Sequence, residues 1–119
     1  MKQTMIKDLV GSVSISNGVG GVIWTYQLPM RMAGLLLTYG NGTDTIGAVN
    51  GTTYWQLQRN GAGVAPYDLV KDLIGSYILP VPAESVQFMG GDVITAYAFN
   101  GYTASAKFGI HTGLQLVEI

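Results

Sequence analysis

Five Asn-Gly dipeptides punctuate this chain, at Asn17-Gly18, Asn41-Gly42, Asn50-Gly51, Asn60-Gly61 and Asn100-Gly101. Both residues tolerate positive φ, which the tight turns between antiparallel strands require. Between them lie runs with the two-residue period of a strand. "SVSIS" sets Val13 and Ile15 against serines, and "TTYWQLQR" (52–59) sets Thr53, Trp55 and Leu57 against Tyr54, Gln56 and Gln58. "DVITAYAF" (92–99) carries Val93, Thr95, Tyr97 and Phe99 on one side and Ile94, Ala96 and Ala98 on the other. "SAKFGIH" (105–111) opposes Ala106, Phe108 and Ile110 to Ser105, Lys107 and His111. Short alternating runs bounded by turn signals predict an all-β chain, an antiparallel β-sandwich or jelly roll. Its core is expected at Trp55, Leu57, Val93 and Phe108, with Gln56 and Gln58 facing out.

"GGVIWTYQLP" (20–29) and "RMAGLLLTYG" (31–40) are richer in apolar residues and should lie deeper, and "GLQLVEI" supplies a last strand. Helical spacing occurs once, at Leu69, Val70, Leu73 and Ile74. At most one short helix is therefore expected, near 66–75; the same stretch also suits an irregular crossover between sheets. A chain of 119 residues makes one domain. It is expected to comprise a single sandwich over 11–119, preceded by an arm over 1–10 that lies along a neighbouring subunit.

Charged residues make up 11% of the chain, against about 25% in ordinary soluble domains. Neutral polar residues, ten Thr, six Ser, five Asn and six Gln, compensate only in part. A surface this poor in charge predicts that other subunits cover some of it. The six Lys and Arg are scattered, so no phosphate-tracking surface and no nucleic-acid partner are expected. No run approaches the ~20 apolar residues of a membrane helix, and "MKQTMIKDLVGSVSIS" lacks the apolar stretch of a signal peptide. No membrane partner is expected.

Chemical devices are few. Cysteine is absent, which removes disulfides and thiolate sites. His111 is the only histidine, so no His-rich metal site can form, and no Gly-x-Ser-x-Gly elbow accompanies it. Of the seven acids, only Asp68 and Asp72 sit at helical neighbour spacing, which reads as a solvated face. No catalytic residue, metal site or cofactor is expected. Gly90, Gly91 and Asp92 read as a turn and strand start, as do the Asn60-Gly61 and Asn100-Gly101 pairs. The glycines supply backbone freedom, and the carboxylate accepts turn amides. Trp24, Trp55 and the seven tyrosines are more simply core and cross-strand partners than a sugar-stacking platform.

Four stretches carry a resemblance: "YQLPMRMAGLLLTYGNGT", "YWQLQRNG", "VQFMGGDVITAYAF" and "GLQLVEI". Their order resembles that of tailed-phage virion β-sandwich proteins, among them head-decoration, minor capsid and fibre-type domains. The layout is an extended segment with proline, a strand ending in Asn-Gly, a hydrophobic residue before Gly-Asp, and a final Leu-x-Leu strand. The Gly-Asp-Val signature also resembles trimeric C1q- and TNF-like jelly rolls. The resemblance implies a non-enzymatic structural protein of the virion: a decoration, minor capsid or fibre-base subunit. Such a subunit forms a homo-oligomer, a trimer, and binds capsid or tail proteins. The alternative is a carbohydrate- or receptor-binding sandwich that uses exposed tyrosines and tryptophans.

Overall fold

The computed structural model describes residues 4–44, 52–71, 76–79, 81 and 86–119. It is a sandwich of two antiparallel sheets. The first contains β1 (Thr4–Ile15), β10 (Ala106–Glu118), β3 (Met32–Thr43) and β7 (Ser76–Leu79) in that order, with β8 (Gln87–Phe88) also paired to β3. The second contains β2 (Gly20–Gln27), β9 (Val93–Phe99), β4 (Tyr54–Arg59) and β5 (Ala62–Gly63), with β6 (Val70–Lys71) also paired to β4. Residues 66–71 form a turn and the short β6, not helix. The remainder of the expected helix, 72–75, lies outside the described residues. Asn50-Gly51 lies outside them too.

Residues 4–10 are not an arm. They form the first half of β1 and pair with β10 from Thr4–Val117 to Val10–His111. The sequence "TMIKDLV" contains no proline or glycine to end a strand, and β10 is long enough to receive it.

Packing follows from cross-strand size matching. Trp55 and Leu57 are fully buried, and their register partners on β9 are Ala98 and Ala96. Two large side chains beside two small ones fill the inter-sheet space without overlap. Across that space Trp55 meets Phe108 of β10, with ring centroids 5.4 Å apart. Truncating Trp55 to alanine there should cost about 3–5 kcal/mol. This arrangement also decides which face of β9 turns inward. Ile94, Ala96 and Ala98 are buried, while Val93, expected in the core, lies half-exposed on the opposite face with Thr95, Tyr97 and Phe99.

The register of β3 against β10 shifts between Gly113 and Leu114, leaving Leu37 as the extra residue. A bulge of this kind reverses side-chain parity. Leu36 is therefore buried before it, and Tyr39 and Asn41 after it. Asn41-Gly42 consequently sits inside a strand, paired to Ile110 and Gly109 on one side and to 77 and 76 on the other. It makes no turn.

Candidate interaction surface

Two asparagine-centred junctions hold the ends of the sandwich. At one, Asn60 and Gly61 have φ of 52° and 85°. Both values are positive, as a type I′ hairpin turn requires, and the turn joins β4 to β5. The Asn60 amide then reaches β9: its Nδ2 donates to Asp92 Oδ1 at 3.0 Å, and Val93 N–H donates to its Oδ1 at 2.8 Å. Asp92 Oδ2 accepts the Met89 N–H at 2.8 Å, and Asp92 N–H donates to the Met89 carbonyl at 3.0 Å. These bonds close the turn through Gly90 and Gly91. Gly91 has a φ of 87°, and a Cβ on Gly90 would stand 2.2 Å from the Met30 carbonyl oxygen. Both positions need glycine. The Met89 N–H holds the Asp92 carboxyl below its ordinary range; partial burial opposes the shift, and the Asn60 amide and Arg59 charge assist it.

The second junction is buried. Asn100 Nδ2 donates to the Ile15 carbonyl at 2.8 Å and to the Ala104 carbonyl at 3.0 Å, while its Oδ1 accepts the Tyr102 N–H at 2.8 Å. Its backbone N–H donates to the Val19 carbonyl, and its carbonyl accepts the Gly18 N–H. Gly101 N–H donates to Thr53 Oγ1 at 2.9 Å. One side chain thus ties the end of β1 to the loop that enters β10. The Asn-Gly spacing marked a reversal here but gave no sign of this network.

Both tryptophans pack against the core, Trp55 fully buried and Trp24 partly so. Trp55 is in the core, and Trp24 turns under Gly11 to donate its Nε1–H to the Ile110 carbonyl at 2.9 Å. Aromatic surface gathers instead outside the second sheet. Tyr54, Tyr97 and Phe99 are half-exposed there, with centroids 6.2 Å apart for Tyr54–Tyr97 and 5.8 Å for Tyr54–Phe99. Tyr97 lies over Gly20, where any Cβ would collide with its ring. Burial raises its hydroxyl pKa, and the neighbouring Tyr54 adds to the effect.

The outer face of the first sheet is the second surface of note. Register aligns Ser12, Gly109 and Gly42 in one cross-strand row, and Val10, His111, Gly40 and Ile78 in the next. Three glycines leave the backbone bare, forming an open groove of about 630 Å³. Val10 and Ile78, 68% and 87% exposed, stand as its walls. Lys107 and Asp44 close one end, where the Lys107 N–H donates to Asp44 Oδ1 at 2.8 Å. His111 projects on this face, away from Asp92 and the rest of the Asn60 junction. Among the described residues, no three His, Asp or Glu side chains gather in a way that could hold a metal ion.

No protein-family model and no curated protein matches the sequence at a significant level. The fold is similar to that of a chain in a solved structure described as the acidic stable capsid structure of Helicobacter pylori bacteriophage KHP30. The TM-score is 0.58 at 12% identity, covering 100% of this chain and 98% of that one. The likeness is one of fold. It runs end to end, so the two chains are of nearly equal length.

Proposed function

We propose that this protein is a non-enzymatic structural subunit of a phage virion that oligomerises and binds a capsid or tail lattice as a decoration, minor capsid or fibre-base component. The observation that carries this reading is the end-to-end likeness to a chain of a phage capsid, with almost no part of either chain left over. The charge deficit supports it independently, because a face that neighbours cover needs little charge to stay soluble. The mechanism is burial of neutral, apolar-rich faces between subunits, where individually weak contacts gain strength by repetition. The order of the oligomer, three, rests on the resemblance to decoration proteins and trimeric jelly rolls alone. The reading is tested by tagging the chain at its source and purifying particles on a density gradient. Co-sedimentation at fixed stoichiometry is expected; recovery only in the free-protein fraction overturns the proposal.

A second reading has one observation in its favour. The half-exposed Tyr54, Tyr97 and Phe99 cluster gives flat rings on which a sugar can stack. In that case glycan-array screening returns a ligand whose binding is lost in Tyr97→Ala. A blank array, with particle association intact, leaves the cluster as a further subunit contact.

A further inference from the structure

A strand at the edge of a sheet carries a row of N–H and C=O groups with no ladder beyond it. The described edges of this sandwich are not alike. β5, β6 and β8 have two residues each and β7 has four. β2 is longer, but its register against β9 breaks between Val22 and Trp24, and such a bulge turns an edge away from partners. β1 has none of these protections. Its twelve residues contain no proline and pair with β10 in unbroken register from Thr4–Val117 to Ile15–Ala106. Among the described residues, its backbone–backbone hydrogen bonds run to β10 alone. Every second residue therefore presents its N–H and C=O on the opposite side.

We infer that β1 is an intersubunit edge, pairing antiparallel with β1 of a second copy about a two-fold axis so that the two first sheets become one. The inference rests on the assembly reading above and names a contact between neighbouring oligomers of the array, because a two-fold pairing joins two copies and cannot itself close a trimer. A two-fold axis perpendicular to the sheet keeps each face on its own side, so paired residues share side-chain parity. That condition sets the axis beside a single residue of the strand, and centres near either end pair only a few residues. Centring on Lys7 or Asp8 sets like charges opposite each other, which is unfavourable. Centring on Leu9 gains little, because Leu9 is already 8% exposed in its own core, and it sets Val10 against the partner's Asp8. Centring on Val10 buries the most exposed apolar side chain of the strand against its own copy. It also places Asp8 opposite the partner's Ser12 and Lys7 opposite the partner's Val13. Residues 5–15 then overlap over about 36 Å at ~3.3 Å per residue. With flanking side chains this buries on the order of 1,000 Å², the lower end for a specific interface. Such a contact is weak in solution and firm in a repeating array.

The absence of cysteine makes the test direct, because in the purified protein one introduced thiol can cross-link only to its own copy. Mild oxidation of the full chain carrying Val10→Cys is expected to give a disulfide-linked dimer, since directly paired Cα atoms stand about 4.5–5.5 Å apart. Ser14→Cys, also exposed on the same strand, lies on the order of 27 Å from its copy in this register and should stay monomeric. Mixed with Ile6→Cys, it should yield the mixed disulfide. A monomeric Val10→Cys, or a Ser14→Cys that links to itself as readily, overturns the pairing. Cross-linking of Val10→Cys to a different virion protein assigns the edge to a foreign strand and overturns the second copy as occupant. Particle association of the wild-type chain is scored separately. Bound chain with no Val10 cross-link defeats this inference alone, whereas a cross-linked dimer absent from particles defeats the virion reading and leaves the dimer.

Discussion

The two ends of the sandwich use the same residue for the same task in opposite surroundings. Asn60 sits in an exposed hairpin turn and Asn100 in a buried junction, and each bridges a turn to a distant strand through both atoms of its amide. Around Asn60, water can replace any bond that is lost. Around Asn100 it cannot, because residue 100 and its neighbours Gly101 and Tyr102 are all buried. The difference teaches that an asparagine's contribution is set less by how many bonds it makes than by what replaces them when it is gone.

The largest effect should come from breaking the buried end. Asn100→Asp keeps the shape but turns the Nδ2 donor into an oxygen facing the Ile15 and Ala104 carbonyls. A buried charge against two acceptors should cost about 3–5 kcal/mol or prevent folding. Urea unfolding measures it, and a loss under about 1 kcal/mol would show that water reaches the site. At the exposed end, Asn60→Ala removes two bonds and forces alanine to a φ of 52°. The expected loss is about 2 kcal/mol. Asn60→Gly restores the backbone freedom and should recover roughly half of that. If both variants lose equally, the side-chain bonds alone matter and the turn geometry contributes nothing.

Asp92 sharpens the comparison further. Both of its carboxylate oxygens are occupied, one by Met89 N–H and one by the Asn60 amide. Asp92→Asn can satisfy only one of them and meets the other donor with a second donor, so a loss of about 1 kcal/mol is expected. The smallest effect is its pH dependence. The folded carboxyl titrates below its ordinary 3.8, so its contribution is complete above that value and is lost as pH falls through the lowered one. Thermal unfolding of the wild type should therefore drop more steeply below about pH 4 than that of Asp92→Asn. Parallel curves would mean that the carboxylate's charge adds nothing to the junction.

Local chemistry alone determined the strand character of this chain, its antiparallel pairing and the turn at Asn60-Gly61. Period-two alternation makes a ribbon with two faces, and Asn-Gly supplies the two positive φ values of a tight hairpin whatever surrounds it. The inward face of "TTYWQLQR" was legible for the same reason, since Trp55 and Leu57 alternate with glutamines. "DVITAYAF" was not, because both of its faces are apolar. The choice between Val93 and Ile94 fell to volume: only the Ile94–Ala96–Ala98 face leaves room beside Trp55 and Leu57. Asn41-Gly42 has the same letters as Asn60-Gly61, yet it became strand because β10 and β7 pair with it on both sides, and two ladders outweigh a turn preference. The network around Asn100 joins residues as far apart as 15 and 104, and "MIKDLV" became an edge strand only because β10 extends beside it. Contacts of that separation leave no periodic trace in the sequence, because each depends on a partner segment whose position the tertiary fold alone sets.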